Sequence, residues 1–427
     1  MRIVLAVVLI GACAMIASGQ TPVPTAVTVP PSSLANKPGG AHTNVRFLAP
    51  GAISGTPQTS GPPYSGYFYE TPASLACIYG FQPAFAGCIS NIVTENPIGG
   101  SRAVAIVDAY DYSAAVSDLT AFVTQFGVEP ITPSNFQVVY APHGGSTPGS
   151  CSGPAIQPSS ASGTGWDLEE ALDIEYAHSM APQAKLYLVE AQSDYFVDLL
   201  CGVSVASNLV AKAGGGQVSM SWGGSEPACF GITSCVLPQT SMDPVFTVPG
   251  VVYFAAAGDT PGTLWPSTSP NVVSAGGTTL STNATSGAFE VETTWQDGGG
   301  GPSSVESRPA YQNGIAFIVG AYRGTPDIAG IANPYTGVWV YNTTLQPPYV
   351  WWIVGGTSVS TPVNAGIRNA EGSFASSSYA WLSKLYAEPF GLTDITLGNC
   401  GLYIGYSATF GWDFCTGWGS PRGPFEQ

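Results

Sequence analysis

At 427 residues, with 44% hydrophobic against 9% charged residues and with 53 glycines and 36 prolines, the chain is not disordered; it describes a large, well-filled core crossed by many tight turns. The 27 acidic against 11 basic residues leave a formal charge of -16, which excludes nucleic acids and anionic membranes as partners, because no cationic surface is left to neutralise phosphates. The acidity suits plain solubility and equally an acidic medium, where the carboxylates discharge and so few lysines and arginines leave little positive self-repulsion.

In chain order, residues 1–19 carry one arginine, an apolar run and small residues, predicting a secretory signal cut after Gly19. Ile10-Gly11-Ala12-Cys13 offers a competing lipid-attachment box, with the anchor at Cys13. Later apolar runs are too short or too interrupted to span a bilayer. Residues 20–65 are rich in Pro, Thr, Ser and Gly without periodicity, predicting an extended, poorly ordered lead-in. From Tyr67 on, strands are expected at 103–107, 185–190, 217–221 and 251–256, and helices at 113–126, 168–178, 197–213 and 358–370. That alternation predicts an α/β domain over residues 66–427, a parallel sheet flanked by helices on both faces. No internal repeat is visible.

Eight cysteines follow the signal, and an even number in an exported chain predicts disulfides. Cys77 with Cys88, Cys229 with Cys235 and Cys400 with Cys415 are the plausible local loops, leaving Cys151 for Cys201, although spacing alone leaves the pairing open. Zinc is the lesser reading, since no Cys-x-x-Cys pair occurs.

Three places carry acid or nucleophile. Gly355-Gly356-Thr357-Ser358 is a glycine-led turn into a helix that would hold the Ser358 hydroxyl at the helix mouth; an ordinary helix start capped by Thr and Ser is the plain alternative. Glu169 and Asp173, four apart on a helix, share one face and could share a proton. A solvated acidic face is the plain reading there, given Asp167, Glu170 and Glu175 beside them. Asp259 closes an apolar strand at the sheet edge where α/β sites gather. Protonated, it could donate to a developing oxyanion; a turn built on Asp-Thr-Pro-Gly is the alternative.

Together these segments resemble the sedolisin family, the serine-carboxyl peptidases. The resemblance runs from about residue 68 to 423 through Thr71-Pro72-Ala73-Ser74-Leu75, Leu172-Asp173-Ile174-Glu175-Tyr176-Ala177-His178, Ser219-Met220-Ser221-Trp222-Gly223-Gly224, Ala257-Gly258-Asp259, Val273-Ser274-Ala275-Gly276-Gly277-Thr278 and Pro326-Asp327-Ile328. It implies a subtilisin-like fold and an acid-acting endopeptidase on protein or peptide substrates. Ser358 would be the nucleophile, Glu169 the base, Asp173 its orienter and Asp259 the oxyanion residue. Ser221, Trp222 and Gly223 would line the substrate strand. Asp108 falls where some members carry a further glutamate in the proton network.

The resemblance also implies a calcium site from Asp394, Ile395, Thr409, Gly411 and Asp413, two carboxylates with main-chain carbonyls, the oxygen set a hard cation takes. Thr409 stands where relatives commonly have glycine. Family members usually carry a large prodomain, for which residues 20–65 are too few. A secreted scaffold without turnover is therefore an alternative. A Ser-His-Asp peptidase is another, but only His42, His143 and His178 are available as its base. A secreted monomer is expected.

Overall fold

The computed structural model describes residues 26–423 except 36, 49–54, 65, 86 and 402–404. The expected signal and Cys13 lie outside the described residues. The strands that position the site are β1 (Val27–Thr28), β2 (His42–Thr43), β3 (Arg46–Leu48), β4 (Ala103–Ala109), β5 (Phe136–Tyr140), β6 (Lys185–Ala191), β7 (Gly216–Met220), β8 (Trp222–Ser225), β9 (Val251–Ala256), β10 (Leu264–Trp265), β11 (Val273–Thr282), β12 (Phe289–Thr294), β13 (Ile328–Ile331), β14 (Val338–Tyr341) and β15 (Trp351–Gly355). The main helices are α1 (Ala115–Phe126), α2 (Trp166–Met180), α3 (Phe196–Lys212) and α4 (Thr357–Ala370).

The central sheet runs β12-β11-β9-β7-β4-β6-β5, with β13 also paired to β11. Its inner strands are parallel, including β4 against both β6 and β7. Every residue of β4 is buried, as a strand covered on both faces requires. Its side chains still alternate: Val104 and Ile106 join the core of α2 and α4, while Ala103, Ala105 and Val107 join that of α3. The expected strands and helices all form, with ends within about two residues of expectation, the usual uncertainty of element boundaries. Ser221 falls in the joint between β7 and β8.

The four expected cysteine pairs form, with Cα separations of 5.4, 5.2, 5.2 and 5.5 Å. Among the described residues no helix is long and apolar enough to cross a membrane.

One expectation fails. Part of the lead-in is ordered and built into the molecule: β1 pairs with β3, β3 pairs antiparallel with β15, and β2 pairs antiparallel with β8. The reason is a short apolar cluster inside a polar stretch. Val45, Phe47 and Leu48 are buried, and the Phe47 ring meets Trp352 edge to face at 5.4 Å.

Candidate active site

Strand β15 delivers the chain to Gly356, whose φ of 109° is a conformation that disfavours any side chain. Space forbids one as well: a β-carbon there would lie 2.1 Å from the Asn44 carbonyl oxygen and 2.7 Å from Asp259 Oδ2. Thr357 and Ser358 then open α4. Asp259 is fastened to this mouth, since its Oδ1 accepts from Thr357 N at 2.8 Å and from Thr357 Oγ1 at 2.9 Å. Its Oδ2 is buried without a hydrogen bond and lies 3.8 Å from Arg46 Nε. Burial pushes the Asp259 carboxyl up to about 6, against the pull of the Arg46 guanidinium and the Thr357 donors.

Helix α2 is buried along its whole length, so the acidic stretch is not a solvated face. Asp173 accepts the Ser221 hydroxyl at 2.9 and 2.8 Å. Neither oxygen of Glu169 closes a hydrogen bond, and the same is true of Glu170 and Asp108. Burial raises the Glu169 carboxyl well above its ordinary value; Asp173 and Asp108 raise it further, and the nearby Ser358 hydroxyl opposes. Burial and then Asp108 likewise raise Asp173, with the Ser221 hydroxyl opposing. Burial pushes Asp108, at the end of β4, up to about 8. The helix thus holds carboxyl groups in a dry interior as protonated acids or shared pairs.

The cleft in front of Ser358 is filled by the chain itself. His42 and Thr43 pair with Gly223 and Trp222. Beyond them Asn44 N donates to Ser221 O at 3.2 Å, and the Asn44 carbonyl accepts from Ser358 N at 3.1 Å. Ser358 Oγ accepts from Asn44 N at 3.2 Å and donates to Ser221 O at 3.2 Å. Past Asn44 the strand continues with Arg46, Phe47 and Leu48 opposite Gly355, Val354 and Ile353. An extended peptide therefore crosses the site, antiparallel to β8 on one side and to β15 on the other, with the Asn44 carbonyl at the serine.

Sedolisin from Pseudomonas sp. (strain 101) is 28% identical over 360 residues, 76% of this chain and 57% of that protein. Kumamolisin from Bacillus sp. (strain MN-32) is 32% identical over 286 residues, 61% of this chain and 50% of that protein. The chain is thus similar in sequence to peptidases of the sedolisin family. It spans about half the length of the curated relatives it matches, and no family model matches it. In fold it is similar to a solved Pseudomonas sedolisin, titled a serine-carboxyl proteinase complexed with pseudo-iodotyrostatin, at TM-score 0.60 and 23% identity, covering 83% of this chain and 95% of that one. Sphericase follows at TM-score 0.52 and 17% identity, covering 83% of this chain and 99% of that one.

Set against the sedolisin expectations, Trp222 turns its side chain away from the cleft: its Nε1 donates to Val107 O at 2.7 Å, and only its backbone faces the bound segment. Ser221 meets the segment through its carbonyl and Asp173 through its hydroxyl. His178 is buried and bonded to Glu129 O at 2.7 Å. His143 lies exposed, 3.6 Å from Asp198. His42 lies in the cleft, but its Nδ1 bonds the Thr43 carbonyl at 3.0 Å.

The five residues of the expected calcium site gather in the C-terminal loop. Gly411 N donates to Asp394 Oδ2 at 2.8 Å and Thr409 N to Asp413 Oδ2 at 3.0 Å. Among the described residues no group of three or more His, Cys, Asp or Glu side chains collects as a metal site, so a cation here would lean on carbonyls. Asp394 Oδ1, buried and unpartnered, is the free oxygen that fits one.

Sequence reading missed Asn44 and Arg46, which lie in a segment that reads as linker, and Thr357. The Gly-Thr-Ser motif was the available signal for Thr357, because a hydroxyl beside the nucleophile is placed to hold Asp259.

Proposed function

We propose that the chain is a serine-carboxyl endopeptidase that hydrolyses peptide bonds in acid. The observation that carries this reading is the peptide held across Ser358, with the Asn44 N–H on Ser221 O and its carbonyl on Ser358 N. Ser358 Oγ attacks the carbonyl carbon as Glu169 takes the hydroxyl proton. The oxygen that becomes negative receives the Ser358 N–H and a second hydrogen bond from protonated Asp259, whose Oδ2 borders the same small space at Gly356. Glu169 then passes its proton to the leaving amine, and the acyl group stays on Ser358 until water repeats the exchange. Asp173 positions Glu169 and, through the Ser221 hydroxyl, the strand that carries the substrate.

Acid suits this set. Asp259 donates only while protonated, and Glu169 and Asp173, close together in a dry interior, share one proton so that one negative charge remains to take the proton of Ser358. Four disulfides support export to an oxidising compartment. Calcium held by Asp394, Asp413 and the carbonyls of Ile395, Thr409 and Gly411 would brace the C-terminal loop and take no part in the chemistry.

Denatured protein offered at acidic pH to the chain and to Ser358→Ala tests the reading, with a peptide aldehyde mapped by mass spectrometry to Ser358. Cleavage by the chain alone supports it. Identical inactivity of the two, with no adduct at Ser358, sinks it.

A further inference from the structure

Arg46, two residues past Asn44, sits in a cage that the proposed mechanism does not use. Its Nη1 donates to Asp297 Oδ2 at 2.6 Å and its Nη2 to the Asp259 carbonyl. The guanidinium carbon lies 5.1 Å from the centre of the Trp295 ring. The side chains of Arg46 and Asp297 are only 16% and 32% exposed, a better shielded pair than a free surface contact.

The ring wall of the cage is fixed independently of its occupant. Trp295 is buried and pinned by Trp295 N donating to Gly277 O at 3.0 Å and Gly298 N donating to Trp295 O at 3.1 Å. The occupant's direction is equally fixed, because Arg46 pairs through its backbone with Gly355 at the end of β15. Any peptide lying in this register presents its second side chain after the Asn44-like residue to the same carboxylate, carbonyl and ring.

We propose that Asp297, Trp295 and the Asp259 carbonyl form a subsite that selects substrates with arginine or lysine two residues after the cut bond. Resting on the peptidase reading above, it makes Asp297 the specificity-determining residue. Arginine is favoured over lysine, since a planar guanidinium can satisfy two acceptors and stack on the ring at once.

Two measurements test it. In the Ser358→Ala chain, amide exchange of residues 42–47 reports release of the segment. Arg46→Gln and Asp297→Asn should each speed it about tenfold, the worth of one charge-assisted hydrogen bond, and together no further than either alone. Unchanged exchange in both overturns the subsite.

In the second measurement, the chain with Ser358 intact receives peptides differing only at the second position after the cut. Arginine and lysine peptides should show KM about tenfold below norleucine at similar kcat. The preference should vanish in Asp297→Asn and turn toward glutamate in Asp297→Lys, a reversal that a structural ion pair would not produce. Equal KM for arginine and norleucine peptides overturns the proposal and leaves the peptidase reading standing. Failure to cut any peptide, with the exchange effect intact, overturns the peptidase reading and the substrate preference with it.

Discussion

Helix α2 and the C-terminal loop both bury carboxyl groups, and they treat them in opposite ways. Asp413 accepts backbone N–H groups from Thr409, Cys415 and Thr416 and the Thr416 hydroxyl. Burial still raises its carboxyl, but those four bonds hold the rise back. Glu169, Glu170 and Asp108 close no hydrogen bond, and of the three only Glu169 has a hydroxyl, that of Ser358, near enough to favour its anion. Donors favour the anion and dry burial favours the acid, so the loop is furnished to keep negative charge and the helix to keep protons. One arrangement suits anchoring a backbone or a cation; the other suits passing a proton on.

Exchanging carboxylate for amide on the two sides should therefore give opposite phenotypes. Glu169→Gln is expected to lower kcat on the order of a thousandfold or more, while the fold persists. Near-full activity in that variant, measured on a peptide at acidic pH, would break the comparison at its centre.

At Asp259 the two behaviours meet, one oxygen well supplied with donors and the other without a hydrogen bond. Asp259→Ala should cost about a hundredfold to a thousandfold in kcat, the usual worth of an oxyanion donor. Asp259→Asn should instead keep a donor that cannot ionise. The rate of the unaltered chain should fall as pH rises through about 6, where Asp259 loses its proton, and the asparagine variant should lack that fall. A pH–rate profile of the same shape in both would refute the assignment.

Stability should carry the same signature. Glu70, Asp108 and Glu190 are pushed up to about 8 in the folded chain, and Glu169, Glu170 and Asp173 well above their ordinary values. In the folded state they bind protons that the unfolded chain has already released near pH 4. Their contribution is therefore complete in acid and is lost as pH climbs toward 8, by up to about 1.4 kcal/mol per pH unit for each group. Glu170→Gln should flatten that decline, seen as denaturant midpoints at pH 4 and 8, without altering kcat. The smallest effect is expected from the loop: chelation should lower the unfolding temperature by a few degrees. Asp394→Asn should abolish the shift. No shift in the unaltered chain, with no metal by elemental analysis, would leave the loop braced by its backbone donors alone.

Much of this could be read before the fold was known, because the sheet and helices follow from apolar runs and helical spacing near residues 103, 168, 217, 251 and 358. The serine turn was visible for a local reason: only glycine fits at 356. The burial of α2 was not visible. Four-residue spacing puts Glu169 and Asp173 on one face, but whether that face meets water is decided by α4, whose sequence lies almost two hundred residues away. Residues 42–48 were misread for the opposite reason. Pro, Ser and Gly dominate any window wide enough to average composition, and the buried trio of Val45, Phe47 and Leu48 is too short to outweigh them. Their partners, Trp222 and Gly355, become neighbours only on folding.

The strand lying across Ser358 is covalently tied to the protein that holds it, and that bears on any measurement made with the intact chain. A tethered occupant competes at an effective concentration on the order of millimolar, whatever the dilution in the tube. An added peptide or inhibitor must outbid it, so apparent affinities will look weaker than the empty groove would give. That offset should not change when the protein is diluted.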